Sequence, residues 1–254
     1  MPEGDTIVRA ARALNAALAG RKVVRFETVL PRLARVDDET PLTGRTVENV
    51  TAAGKHLVIR FSGDLTLRTH LRMNGSWHVY RAGQRWRKRR ADMRLLIATN
   101  DFVAVGFNIP VAEFRSERDR VGQPELRRLG PDLLGPRFDA AEVIGRMGAH
   151  ADEDIAEVLL NQRVLAGIGN IYKSEVLFAC GVNPFARTGD LGEARLRRII
   201  TRGQAMLRQG AERRAMFAVY GRGGQPCRRC GTAIAWRRQG RDARSTYWCP
   251  RCQT

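Results

Sequence analysis

At 254 residues with 43% hydrophobic content, the chain is long enough for two domains, or one large one, with a real core, and too apolar to be a disordered basic tail. Lys and Arg outnumber Asp and Glu by 44 to 26, giving a net charge of +18; such a field favours a polyanion, nucleic acid ahead of an acidic membrane surface, although a high-GC genome also inflates Arg counts. No apolar run approaches the ~20 residues of a membrane span and the opening residues lack a signal-peptide core, so a soluble, intracellular protein with no membrane partner is expected.

Residues 7–19 repeat apolar side chains at helical spacing (Ile7, Val8, Ala11, Leu14, Leu18), and Gly20 closes the segment as a C-terminal cap would. From Val23 to Phe114 the pattern changes to short β-branched runs: Val23 to Phe26, Leu57 to Phe61, Leu65 to Leu67, Trp77 to Tyr80 and Leu95 to Ala98, with turns at Ser62-Gly63-Asp64 and Asn74-Gly75. Their spacing predicts a mainly β first domain, sandwich-like. Within it, residues 81–94 form the densest basic run, with Trp86 inside; it could track a phosphate backbone or be a solvated hairpin. Residues 115–136 have linker composition, and beyond them 140–147, 155–160, 171–179 and 194–207 read as helices.

Two of these helices are joined through Gly167-Ile168-Gly169-Asn170. Glycines let a backbone approach a phosphate, the amides at the next helix start point outward, and Asn170 adds an amide donor; glycine turns between packed helices are also common for packing reasons alone. Of the five cysteines, Cys180 lies in an apolar stretch and reads as a core residue. The other four form Cys227-x-x-Cys230 and Cys249-x-x-Cys252, which a hairpin over 231–248 can bring together as a closed tetrahedral S4 site. One structural Zn²⁺ is expected, holding together a tail too short to fold alone; a redox CxxC pair or an iron–sulfur cluster are the other chemistries open to such a set.

At the other end stands Met1-Pro2-Glu3-Gly4. Removal of Met1 would leave Pro2 with a free secondary amine, and an α-amino group titrates near ~8, so far more of it is neutral and nucleophilic at physiological pH than of a lysine.

Together with Gly54-Lys55-His56-Leu57, His70-Leu71-Arg72-Met73-Asn74-Gly75, Leu129-Gly130-Pro131-Asp132, the segment from Asn161 to Tyr172, Val219-Tyr220-Gly221-Arg222 and Arg244-Ser245-Thr246-Tyr247-Trp248-Cys249-Pro250, this terminus resembles the formamidopyrimidine-DNA glycosylase/endonuclease VIII family over nearly the whole chain, in order. The resemblance implies a multidomain α and β fold: an N-terminal catalytic β-sandwich with flanking helices (1–121), a linker (122–135), a helix-two-turn-helix DNA-binding domain (136–215) and a C-terminal zinc β-hairpin (216–254). It implies base excision with strand incision, in which Pro2 attacks C1′ of a flipped nucleotide, Glu3 moves protons, Lys55 contacts phosphate and assists elimination, and Arg244 grips the phosphate at the lesion. His70, Arg72, Met73, Arg128 and Asn170 resemble further DNA-contact positions. The partner implied is damaged double-stranded DNA, the oligomeric state a monomer and the location the cytoplasm, at the nucleoid.

Two departures bear on substrate. Many relatives carry a second glutamate where this chain has Thr6, and purine-specific members carry an Arg-Phe pair where this chain reads Val103-Ala104-Val105-Gly106-Phe107-Asn108. Met73 does occupy a void-filling position seen in the purine enzymes. The missing pair and the opening residues place the chain on the endonuclease VIII side, with oxidised pyrimidines and abasic sites expected as substrates. A glycosylase preferring 8-oxoguanine and formamidopyrimidines, and a catalytically silent zinc-dependent DNA-binding protein, are the competing readings.

Overall fold

The computed structural model describes residues 2–116, 124–213 and 216–254, so Met1, the expected domain ends at 121 and 215 and the first residues of the expected linker lie outside the described residues. The chain divides into two compact units, one of Met1–Pro2 and Thr6–Arg127, the other of Glu3–Asp5 and Arg128–Thr254.

The first unit takes most of α1 (Gly4–Leu18), then β1 (Arg25–Thr28), α2 (Pro31–Glu39), β2 (Val47–Ala53), β3 (His56–Phe61), β4 (Leu65–His70), β5 (Ser76–Arg81), β6 (Met93–Ala98), β7 (Phe102–Phe107), β8 (Val111–Ser116) and the short α3 (Pro124–Arg127). The strands form two four-stranded antiparallel sheets, ordered β1-β6-β7-β5 and β2-β3-β4-β8. Leu57, Ile59 and Phe61 of one sheet share a core with Trp77, Leu95, Ile97 and Ala104 of the other, and the α1 stripe Ile7, Ala11, Leu14 and Leu18 closes it. Gly20, at φ 76, ends that helix as expected.

Alternation along β6 and β7 sends Met93, Leu96, Val103, Val105 and Phe107 to the opposite face, where Trp86 covers them. Trp86 stacks on Tyr80 and meets Phe107 edge-on, while Arg89 and Arg90 pair with Asp92 and Glu27. Part of the basic run is therefore fold: its aromatic plugs a sheet face and two of its arginines are neutralised locally.

In the second unit, α4 (Ala140–Gly148), α5 (Ile155–Leu160), α6 (Asn170–Cys180) and α7 (Gly192–Glu212) enclose a core that includes Leu159, Val176, Leu177, Ile199 and Ile200, and an antiparallel hairpin follows, β9 (Ala235–Gln239) with β10 (Arg244–Trp248). Asp139 caps α4 by accepting from the Ala141 amide at 2.8 Å, and Gly181 in the left-handed region ends α6. Leu129-Gly130-Pro131-Asp132 lies along the segment before α6: the Gly130 amide donates to Gln162 O and Asp132 bridges Ala166 in parallel. A Cβ at residue 130 would strike the Val164 carbonyl, which is why this contact takes glycine. Cys180 is buried in the helical core, as expected. No helix among the described residues is long and apolar enough to cross a membrane.

Candidate active site

Glu3 is 1% exposed, and its carboxylate is bound at the start of α6. Oε1 accepts from the Ile171 amide at 2.7 Å, and Oε2 from the amides of Gly169 and Tyr172 at 3.0 and 3.2 Å. A helix N-terminus offers unpaired N–H groups and a positive dipole end, so a buried carboxylate is satisfied there. Gly169 leaves room for it: a Cβ would lie within 2.5 Å of the Glu3 carboxyl carbon. The outward amides expected at this turn are thus occupied by the protein's own glutamate, and Gly4 N, donating to Gly167 O at 3.0 Å, extends the contact. Asp5 accepts from the Tyr172 hydroxyl at 3.1 Å, so the carboxylate nearest the Thr6 position is engaged with α6. Pro2, the residue before Glu3, is partly exposed.

The same helix holds β10 residue by residue. Asn170 Nδ2 donates to Ser245 O at 2.8 Å, Lys173 Nζ to Thr246 Oγ1 at 2.7 Å, and the Tyr247 amide to Ser174 Oγ at 3.4 Å. Arg244, the first residue of that strand, projects its guanidinium to a half-exposed position with Asp242 at 3.4 Å. Further along α6, Glu175 accepts from the amides of Ala218, Val219 and Tyr220, each at 2.8 Å, which fixes the Val219-Tyr220-Gly221-Arg222 segment. Lys173, Glu175, Thr246 and Gln239 are all buried, and sequence reasoning singled out none of them for a role.

Cys227, Cys230, Cys249 and Cys252 lie with their sulfurs all within 4.8 Å of one another. The Cys227–Cys252 and Cys230–Cys249 separations of 4.0 and 3.4 Å bracket the ~3.8 Å edge of a tetrahedron built on ~2.3 Å Zn–S bonds. Four thiolates and no open position suit one structural Zn²⁺, and Val219, Ile234 and Phe178 pack round the set. When bound, the metal supplies cross-linking rather than reactivity.

In the first unit, Gly54 and Lys55 make the two-residue turn between β2 and β3, with Gly54 at φ 57. His56 pairs with His70 across β3 and β4, which sets Lys55, His70, Arg72 and Met73 at one end of the strand pair. Arg72, at φ 49, turns the chain, and its amide donates to His70 Nδ1 at 3.0 Å. Gly75 closes the turn on Leu71 O at 2.9 Å, leaving Met73 58% exposed at the tip. The two imidazoles meet edge-on at 4.8 Å, and Arg68 Nη1 donates to His56 Nδ1 at 3.2 Å. Burial and then the neighbouring His70 and Arg68 pull the His56 pKa down to about 3, and burial with Arg72 and Lys55 pulls His70 to about 4. Both Nδ1 atoms accept, so each neutral ring carries its proton on Nε2, a donor. Residues 103–107 lie in strand β7, and Phe107 is buried against Trp86 rather than presented to a ligand. Arg128 is exposed immediately before the Gly130 contact.

Three family profiles match the chain in order: the formamidopyrimidine-DNA glycosylase N-terminal domain over residues 1–108, the formamidopyrimidine-DNA glycosylase H2TH domain over 129–218, and the zinc finger found in FPG and IleRS over 224–254. The chain belongs to the formamidopyrimidine-DNA glycosylase/endonuclease VIII family and is an enzyme of its glycosylase and AP-lyase class, with one structural zinc ion. It is 43% identical to the probable endonuclease 8 2 of Streptomyces coelicolor, covering 100% of this chain and 94% of that one. It is 38% identical to the DNA-(apurinic or apyrimidinic site) lyase Nei2 of Mycolicibacterium smegmatis, over 100% and 99%. Among solved structures, the Lactococcus lactis Fpg in complex with abasic-site DNA superposes with a TM-score of 0.86 at 24% identity, over 100% of both chains.

Proposed function

We propose that this chain excises oxidised bases from damaged duplex DNA and incises the strand at the resulting or pre-existing abasic site. Pro2 N, once freed of Met1, attacks C1′ of the extruded nucleotide; the glycosidic bond breaks and the base leaves with a proton. The amine then loses its proton and its lone pair opens the sugar ring, breaking C1′–O4′ as O4′ takes a proton; from a secondary amine the product is a cationic iminium, an electron sink that acidifies the 2′-hydrogens, so loss of one expels the 3′-phosphate and further elimination expels the 5′-phosphate. The observation that carries the reading is the Glu3 carboxylate, one peptide from Pro2 and fixed by three amides, a proton carrier whose position does not depend on substrate. Arg244, half exposed at the head of β10, supplies a fork for the lesion phosphate, and Lys55, His70, Arg72, Arg128 and Asn170 supply further DNA contacts.

Oxidised pyrimidines are the substrates we favour, supported by the endonuclease 8 names of the relatives and by a β7 segment without the Arg-Phe pair. Exposed Met73 at the tip of its turn favours the second reading, 8-oxoguanine. The protein is proposed to act as a monomer on nucleoid DNA in the cytoplasm, with residues 1–121, 136–215 and 216–254 as its catalytic, helical and zinc domains. Borohydride reduction in the presence of abasic-site duplex should link the protein covalently to DNA, and retention of Met1, which makes the Pro2 nitrogen an amide, should abolish the link while leaving binding, which rests on phosphate contacts. Normal trapping by the Met1-blocked protein would remove Pro2 from the mechanism, and the relative incision of duplexes carrying a pyrimidine glycol or 8-oxoguanine decides between the two substrates.

A further inference from the structure

Lys173 stands in the middle of α6 and is 0% exposed, with its ammonium donating to Thr246 Oγ1 at 2.7 Å. A lysine has donors only, so Thr246 accepts and passes its own hydrogen onward, to Gln239 Oε1 at 2.7 Å. That fixes the Gln239 amide the other way round, with Nε2 donating to Asp154 Oδ2 at 2.8 Å and to Pro184 O at 3.3 Å. The donors run in one direction, and Lys173 starts the chain. Gln239 is the cross-strand partner of Arg244, and Thr246 lies two residues beyond Arg244 on the same strand. Both strands of the short hairpin that carries Arg244 are therefore tied to this one buried ammonium, β10 at Thr246 and β9 at Gln239.

The charges that face it are Glu157 from α5 and Glu3, which favour its protonated form, and Arg244, which opposes it. Burial outweighs the two carboxylates and brings the lysine down to about 8. Glu157 has one buried oxygen without a hydrogen-bond partner and leaves no room for a side chain at Gly240, the residue after β9. A mid-helix lysine in water would cost nothing, whereas this one is held against a desolvation penalty.

We infer that Lys173 is a positioning residue for strand incision, setting through Thr246 and Gln239 where β10 presents the Arg244 guanidinium. The inference rests on the reading of Arg244 as a phosphate-binding residue. Lys173 itself is sealed from DNA, so any effect of its removal on phosphate binding must pass through the hairpin.

The test uses the full-length zinc-loaded protein on abasic-site duplex, comparing Lys173→Met, Thr246→Val, Arg244→Ala and the corresponding double variants. Arg244→Ala should lower the salt slope of binding by about one unit, the contribution of one phosphate contact. Lys173→Met and Thr246→Val should reproduce most of that loss of slope, lower single-turnover incision by about tenfold, the scale of one charge-assisted hydrogen bond, and add nothing when combined with Arg244→Ala. Wild-type slope and incision in both Lys173→Met and Thr246→Val would overturn the inference, as would losses that multiply with Arg244→Ala. If Lys173→Met fails to hold zinc or to fold, Thr246→Val decides alone, since it breaks the same link and leaves the charge in place. An unchanged slope in Arg244→Ala itself would instead mean that Arg244 does not grip the phosphate, a failure of the functional reading distinct from that of Lys173.

Discussion

The Glu3 carboxylate accepts a 2.7 Å hydrogen bond from the amide of Ile171, a residue 168 positions away along the chain. Glutamine in its place would set an amide nitrogen against N–H donors, leaving at least one unpaired at a cost of about 1–3 kcal/mol. Glu3→Gln should therefore melt at a lower temperature and lose base excision far more than DNA binding. Calorimetry and single-turnover excision measure the two effects, and unchanged turnover on a damaged base would end the proton-transfer role.

Removing zinc should weaken DNA binding although no cysteine is assigned to DNA. Cys249→Ser, or a chelator, opens a site whose sulfurs now lie within 4.8 Å, and with it the cluster of Val219, Ile234 and Phe178. Affinity and metal content should fall together in titrations of the two. A zinc-free wild-type protein with full affinity would refute the structural role.

Met73→Ala should leave stability within about 0.5 kcal/mol of wild type, because the side chain is 58% exposed. If the side chain fills the hole beside an extruded base, excision of a damaged base should suffer far more than incision at a ready-made abasic site, where little unpairing has to be done. Equal losses on both substrates would make Met73 an ordinary turn residue.

The His56–His70 pair predicts an acid-sensitive fold. Unfolded histidines titrate near ~6.5, whereas these two are held at about 3 and about 4. Between those values and ~6.5 the unfolded state binds more protons than the folded one, so the stability these rings contribute is complete above ~6.5 and is lost as pH falls, for His70 down to about 4 and for His56 down to about 3. Melting temperature against pH should fall across that window in the wild type and less steeply in His56→Gln. Above ~6.5 neither ring changes charge, so neither should appear in the alkaline part of a pH–rate profile.

The helices over 155–160 and 171–179 were legible because their apolar spacing and glycine or Asn-Pro ends are local signals, and the cysteine pairs because metal geometry fixes their spacing. Helix α2 escaped notice since it is short, carries a single fully buried residue, Leu33, and opens on a proline that reads equally well as a turn. β2 alternates weakly and has a bulge between Val47 and Asn49. The site's supports were hidden for another reason: a lysine, a glutamate or a threonine inside an element reads as solvated surface, and only the fold reveals that α6 is enclosed on nearly every side. A helix with apolar residues all round, Ile171, Tyr172, Val176, Leu177 and Phe178 among them, and a glycine turn at each end was the available sign.

The binding of Glu3 to residues 169–172 has a consequence for the order in which this enzyme becomes dangerous to DNA. The amino terminus leaves the ribosome first, yet the amides that fix its glutamate do not exist as a helix end until α6 has been made, and β10, which carries Arg244, follows later still. On the proposed mechanism, an unfinished chain, or a fragment cut before α6, holds Pro2 and Glu3 without the amides that fix Glu3 and without Arg244. On that mechanism, strand-breaking chemistry waits until the second half of the chain has folded and bound Glu3.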